Sequence, residues 1–268
     1  MHPKGQNMEL RRTFQSLITL HQGEFPYKGL ISRELALPLG GEDIVTVTGI
    51  RRCGKSSLLK LTINGLLAAG IPKERILYIE FDDERFSAMA VSDFDEILQA
   101  YREMYPEQPL SDVYMFFDEI QLIKGWELFV LRTFKNYSKH IFITGSTAEM
   151  LSGEMASALR GWPDEYVEYP LDFKEYLKFR NLAPDFFSEA GSAIAKTAYR
   201  KFCSEDGVQE ILPRWRIPQG SYGRVRNGEV QDSPVVFQHY ALPRPHRALR
   251  DKILAGCREV FSEESLRE

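Results

Sequence analysis

The stretch Gly49-Ile50-Arg51-Arg52-Cys53-Gly54-Lys55-Ser56 decides the fold of this 268-residue chain. It matches the pattern G-x-x-x-x-G-K-[ST] and lies between a β-branched run, residues 44–48, and a leucine-rich helical pattern, residues 56–69. Glycines let the backbone curl until several N–H groups converge on phosphate oxygens. The positive end of the following helix dipole points at the same place. The sequence therefore predicts a nucleotide phosphate site between a strand and a helix.

The side chains of this loop divide between phosphate and metal binding. Lys55 supplies a mobile cation for the β- and γ-phosphates, and the Ser56 hydroxyl is a hard oxygen donor that suits magnesium. Variable loop positions such as Arg51 usually face solvent, and no chemical role follows for the Cys53 thiol. We expect the remaining nucleotide contacts from the loop and the first helical turn, at Gly49, Arg52, Cys53, Gly54 and Ser57.

Outward from the loop, apolar runs alternate with helical patterns. This alternation predicts an α/β P-loop NTPase fold, with a mostly parallel sheet covered by helices on both faces. Such sheets bind ligands at the carboxyl ends of their strands. The predicted strands are residues 44–48, 76–81, 113–117, 140–144 and 165–169, and the predicted helices are 8–20, 56–69, 91–104 and 126–137. A further short helix is expected within residues 23–41.

Two adjacent acids follow the apolar strand 113–117. A carboxylate at the end of a buried strand can hold magnesium through its water shell, and we predict this role for Asp118. Glu119 is the candidate general base that activates water for in-line attack on the γ-phosphate. The alternative is a pair of solvated acids that end a strand, but the neighbouring phosphate loop favours catalysis. Asp82 and Asp83 are interpreted as solvated turn acids.

Two further positions are candidates for contact with the γ-phosphate. The strand 140–144 is expected between the strands that carry the loop and the acids, so its tip can sense this phosphate. Ser146 is the first candidate for this role and Thr144 the second, with an ordinary strand end as the alternative. Arg160 is either an arginine that neutralises charge in the transition state, in its own chain or a neighbour's, or a surface arginine.

Five segments occur in an order that resembles a known family: VTGIRRCGKSSLL, YIEFDDERF, FFDEIQLIKGWELFVLRTF, IFITGSTAEML and YPLDFKEYLKF. They resemble the bacterial and archaeal AAA-like ATP-binding proteins, related to AAA+ ATPases, over about residues 30–179. The resemblance implies ATP and Mg²⁺ as cofactors. It also implies that Lys55 and Ser56 contact phosphate and magnesium, that Asp118 contacts magnesium, and that Glu119 contacts water.

The chain also departs from that family. Gln121 and Trp126 match signature positions of the family rather than catalytic ones. Gly161-Trp162, however, stands where members commonly show Gly-Arg, and this difference argues against a transition-state role for Arg160. Family members often continue into a C-terminal domain of unknown function. Here that pattern is lost after about Asp206, and residues 202–251 contain no lysine and five of the fourteen prolines. We interpret this tail as truncated or frameshifted.

The expected domain organisation follows from these segments. Residues 1–40 form an N-terminal helical lead-in, residues 41–180 the P-loop ATPase core, and residues 181–268 a C-terminal helical and irregular region. That last region is interpreted as the degraded remnant of a second domain.

Composition narrows the functional class. A net charge of −4 gives no global attraction to nucleic acid or anionic membrane. Three distant cysteines without zinc spacing indicate a reducing compartment. The N-terminus lacks the apolar run of a signal peptide, and no stretch approaches the roughly 18 apolar residues of a membrane span. The chain is therefore predicted to be cytoplasmic.

The function predicted from these motifs is magnesium-dependent ATP hydrolysis. ATP is favoured over GTP because no Asn-Lys-x-Asp tetrapeptide occurs. One alternative is a nucleotide-dependent binding module or switch with little turnover. A second is an ATPase that acts with DNA or RNA, since the tail is rich in arginine. The expected partners are ATP and either an unknown protein or nucleic acid. The sequence is compatible with an oligomer and does not identify the oligomeric state.

Overall fold

The computed structural model describes residues 4–146, 159, 161–185 and 188–202. Contacts divide the chain into two units, the first ending at Glu168 and the second beginning at Tyr169. The expectations for the tail after about Asp206, and for the side chain of Arg160, lie outside the described residues.

The first unit contains a five-stranded parallel sheet flanked by helices. Its strands run in the order β2-β3-β4-β1-β5, and every pair of neighbours is parallel. This order places β4 between the strands that carry the loop and the acids, as the sequence predicts. The strands are β1 (Ile44–Gly49), β2 (Ile76–Glu80), β3 (Tyr114–Asp118), β4 (Ile141–Ser146) and β5 (Pro163–Val167). The helices are α1 (Lys4–Glu24), α2 (Lys55–Ala68), α3 (Asp95–Met104) and α4 (Trp126–Asn136).

Helices cover both faces of the sheet, so its central strands are buried on both faces. Along β3, Phe116 packs with the α2 side, whereas Met115 and Phe117 pack with α1, α3 and α4. All six residues of β1 are buried. A strand buried on both faces needs this near-continuous apolar sequence. The α/β P-loop fold expected from the sequence is therefore confirmed.

The segment before β1 contradicts the sequence analysis. Residues 25–43 contain no helix. Side-chain hydrogen bonds replace helical ones here, since the Tyr27 N–H donates to Asn64 Oδ1 and Asn64 Nδ2 donates to the Tyr27 carbonyl, both at 2.8 Å. Leu35 and Leu37 pack against the α2 side of the sheet. Tertiary packing thus holds the segment in an irregular path that leads to the phosphate loop.

Two predicted boundaries also shift. The helix expected over residues 91–104 opens as a separate 3₁₀ turn, Val91–Asp93, where Asp93 accepts the Ala90 N–H at 2.9 Å. The strand β5 lies two residues earlier than expected. It is an edge strand with a half-exposed surface, so its apolar pattern is weak.

The second unit contains two described helices, α5 (Phe173–Phe179) and α6 (Glu189–Lys201). Asp172 begins α5 with a capping box, in which its carboxylate accepts the Glu175 N–H at 2.8 Å. An aromatic cluster that includes Phe173, Tyr176 and Phe202 joins the two helices. Of the helices that the structure describes, none combines the length and apolarity that a membrane crossing requires.

Candidate functional site

The loop between β1 and α2 has the tight path that its glycines predict. Gly54 has φ 108°, a left-handed conformation that side chains rarely adopt, and a Cβ there would lie 2.8 Å from Arg33 Nη1. A Cβ on Gly49 would lie 2.3 Å from the carbonyl oxygen of Glu168. Any larger residue at either position would therefore displace the loop or its neighbour.

Lys55 begins α2 and points its ammonium back into the loop. Only 3% of its side chain is exposed, and Nζ lies 3.4 Å from the Gly49 carbonyl and 3.3 Å from the Ile50 carbonyl. The same nitrogen lies 3.2 Å from Glu119 Oε1. The lysine therefore joins the phosphate loop directly to the general-base candidate.

Glu119 is held on three sides at the end of β3. Its backbone has φ 52°, and its N–H donates to Thr144 Oγ1 at 2.8 Å. Its second carboxylate oxygen accepts a hydrogen bond of 2.6 Å from Gln121 Nε2. A left-handed conformation outside glycine costs about 1–3 kcal/mol, and such strain concentrates at functional sites. Gln121 thus touches the candidate base itself.

Asp118 is completely buried beside Glu119. Tyr78 donates its hydroxyl to Oδ2 at 2.7 Å, and Thr144 donates its hydroxyl to Oδ1. An ionised carboxylate has about four lone-pair sites, so about two remain for another donor. Ser56 lies in the first turn of α2. Carboxylate and hydroxyl oxygens are hard ligands, so the residues present fit a magnesium ion and its water shell.

Further acids add negative charge near Asp118. Glu80 is its register partner on β2, and the pKa of Glu80 is raised by burial and then by the charge of Asp118. The pKa of Asp82 is raised by burial and then by the charges of Asp118 and Glu119. Asp83 instead pairs with Arg85, whose hydrogen bond lowers the pKa of that carboxyl. A divalent cation would relieve this accumulation of negative charge.

Two buried side chains near the loop stay protonated. Burial, followed by the charge of Asp118, raises the pKa of Tyr78 well above its ordinary value, which keeps its hydroxyl a donor. Burial raises the pKa of the Cys53 thiol to about 11, so the thiol is neutral at pH 7. Tyr78 was missed by the sequence analysis, although a buried tyrosine hydroxyl in the run ILYIEF requires a partner.

The structure brings some predicted site residues together and separates others. Lys55, Asp118, Glu119 and Thr144 form one connected set of contacts. The side chains of Arg51, Arg52 and Ser57 are exposed. The Ser146 backbone pairs in register with Gly49, but the Ser146 side chain lies outside the described part of the chain. Sequence reasoning also missed Arg33 and Glu168, which contact the outside of the loop.

Comparison with known proteins adds a family and several relatives. A family model described as an AAA domain matches residues 41–177. A protein of Haemophilus influenzae Rd is 38% identical over 190 residues, which cover 69% of this chain and 45% of that protein. A Methanocaldococcus jannaschii protein is 34% identical over 176 residues, which cover 66% of this chain and 37% of that protein. Both carry the name uncharacterized protein, and the matches span less than half of their length.

One solved structure that resembles this chain is AMPPCP-bound DnaA from Aquifex aeolicus. The likeness covers 95% of this chain and 69% of the DnaA chain, with 16% identity and a TM-score of 0.38.

Proposed function

This chain belongs to the AAA domain family, and we propose that it binds ATP with magnesium and hydrolyses it to ADP and phosphate. The 3.2 Å contact between Lys55 Nζ and Glu119 Oε1 is the observation that carries this proposal. It sets a phosphate-binding cation beside a carboxylate that can activate water. A loop that only bound phosphate would not require that carboxylate.

The proposed reaction uses these residues in a defined order. The loop N–H groups and the Lys55 ammonium hold the phosphates, so Lys55 exchanges its carboxylate partner for phosphate. Glu119 then accepts a proton from the attacking water while the water oxygen bonds to the γ-phosphorus. The bond between the γ-phosphorus and the β–γ bridging oxygen breaks, and ADP leaves with that oxygen. Thr144 orients both acids during this step through its two hydrogen bonds.

Ser56 and Asp118 are the residues that would hold magnesium. When bound, the ion neutralises charge on the β- and γ-phosphate oxygens. Tyr78 and Thr144 fix the orientation of Asp118, since each donates to a different carboxylate oxygen. This arrangement presents the remaining lone pairs in a fixed direction.

A nucleotide-dependent switch with little turnover is the second candidate function. Both oxygens of Glu119 are engaged in this structure, one by Lys55 and one by Gln121. These two contacts hold the carboxylate in place and leave fewer of its lone pairs to take a proton from water, which favours slow turnover. An ATPase acting with DNA or RNA stays a prediction of the sequence, because its arginine-rich segment lies outside the described residues.

Calorimetric titration of ATP, with magnesium and with EDTA, tests nucleotide binding. Lys55→Ala should weaken binding at least a hundredfold, because the ammonium would bind both the β- and the γ-phosphate and each charge-assisted hydrogen bond contributes about 1.5–3 kcal/mol. Ser56→Ala should remove only the gain that magnesium provides. Ser16→Ala, which changes an exposed serine of α1, serves as the control. Equal ATP affinity in wild type and Lys55→Ala would show that the proposal is wrong.

A further inference from the structure

A buried ion pair lies against the outside of the phosphate loop. Arg33, from the irregular segment before β1, places Nη2 2.5 Å from Oε1 of Glu168, the last residue of the first unit. The two side chains are only 5% and 2% exposed. Neither residue belongs to the motifs that define the nucleotide site.

This pair contacts the loop at both of its glycines. Arg33 Nη1 donates to the Cys53 carbonyl at 2.8 Å, and it occupies the space that a Cβ on Gly54 would need. The carbonyl of Glu168 closes the corresponding space at Gly49. The N–H of Glu168 donates to the Thr48 carbonyl at 2.7 Å, which fixes its backbone to the end of β1. The ion pair of Arg33 and Glu168 therefore contacts both the beginning and the end of the loop.

The contact with Cys53 also sets the direction of a phosphate-binding group. A trans peptide is planar, and its C=O and N–H point in opposite directions. Because Arg33 holds the Cys53 carbonyl on its own side, the N–H of Gly54 points away from Arg33. That N–H opens α2, where the loop amides converge on an anion.

Stability alone is a poor explanation of this pair. Desolvation of two charges is costly, and well-packed apolar residues of similar volume often stabilise a core equally well. A planar guanidinium can hold a carbonyl and a carboxylate at once through different nitrogens, which an apolar side chain cannot do. The pair thus provides directional contacts, and these contacts end on the loop.

We propose that Arg33 and Glu168 are positioning residues that hold the phosphate loop in its nucleotide-binding shape. This inference rests on the proposed function for the identity of the nucleotide. A brace on the loop acts equally on the ground state and the transition state. Its loss therefore raises the Kd and KM for ATP and leaves kcat within about twofold.

The test uses three variants and one control. Arg33→Lys keeps a positive charge beside Glu168 but cannot reproduce the two-pronged contact. Glu168→Gln keeps a hydrogen-bond acceptor and removes the charge. The double variant Arg33→Met/Glu168→Met leaves no unpaired charge if the single variants fail to fold. Arg132→Met, which breaks an exposed ion pair with Asp95 between α3 and α4, is the matched control.

Two readouts separate this proposal from the proposed function. Hydrogen exchange of the amides of residues 49–56 needs no nucleotide, and we expect it to be at least tenfold faster in the double variant and unchanged in Arg132→Met. The ATP Kd should rise at least tenfold in parallel, with Arg33→Lys intermediate. Unchanged loop exchange, or exchange that rises equally throughout the first unit, would overturn the positioning role. If the loop loosens but wild type binds no ATP, the positioning role stands and the proposed function fails.

Discussion

Glu119→Gln is expected to tighten nucleotide binding about fivefold while it abolishes turnover. In this structure Lys55 pairs with Glu119, so phosphate must compete with that carboxylate for the ammonium. The neutral amide removes the competing charge, and it also removes the base that takes the proton from water. Binding becomes tighter while turnover is lost, so this one variant tests both the pairing of Glu119 with Lys55 and its role as the base.

The magnitude follows from the burial of the pair. Exposed ion pairs contribute about 0–1 kcal/mol, whereas breaking a buried pair costs about 3–5 kcal/mol. Lys55 is 3% exposed and Glu119 22% exposed, which places the pair between these limits. The amide oxygen still accepts a hydrogen bond, so we assign about 1 kcal/mol to the lost charge. At about 1.4 kcal/mol per tenfold, this corresponds to about fivefold in Kd.

Titrations with ATP and ADP distinguish this competition from simple repulsion. If Lys55 is released from Glu119, both nucleotides should bind Glu119→Gln more tightly, because both carry a β-phosphate. Glu107→Gln, an exposed acid between α3 and β3, should change neither affinity. Tightening confined to ATP would assign the effect to repulsion of the γ-phosphate. Unchanged or weaker binding of both nucleotides would refute the competition.

The remaining predictions concern Thr144 and Cys53. Thr144→Val leaves the Glu119 N–H and Asp118 Oδ1 without this partner, so we expect a loss of about 1–3 kcal/mol in unfolding free energy and at least tenfold in turnover. Thr144→Ser keeps the hydroxyl and should therefore retain both the stability and the turnover of the wild type. Wild-type turnover in Thr144→Val would contradict this role of Thr144. The Cys53 thiol is tested in a chain that carries Cys203→Ser and Cys257→Ser, so that only Cys53 can react. Because burial raises the pKa of Cys53 to about 11, a thiol reagent at pH 8 should react with the urea-unfolded chain at least a hundredfold faster than with the native chain. Equally rapid native labelling would refute the buried, neutral thiol.

Sequence reasoning succeeded where the geometry is local. The G-x-x-x-x-G-K-S pattern specifies a strand, a tight loop and a helix within one short segment, and the buried runs such as residues 113–117 specify the parallel sheet. The placement of Glu119 beside Lys55 follows from that topology. These are patterns in which each residue type has a direct physical reason.

It failed where distant side chains decide the structure. The helix expected in the segment before β1 is replaced by contacts between Tyr27 and Asn64, which the local pattern does not contain. Arg33 and Glu168 meet only after the chain has folded, so neither could be assigned to the loop. For Thr144 the topology predicted the position, but its two hydrogen bonds depend on the exact register of β3 and β4.

Steady-state phosphate release from magnesium-ATP tests the central claim most directly. The purified chain should release phosphate over many turnovers, and both Lys55→Ala and Glu119→Gln should reduce release at least a hundredfold. Lys55→Ala should do so by loss of binding, whereas Glu119→Gln should still bind ATP. Wild-type release no faster than that of Glu119→Gln, with ATP bound through Lys55, would contradict hydrolysis and assign this chain to the nucleotide-dependent switches.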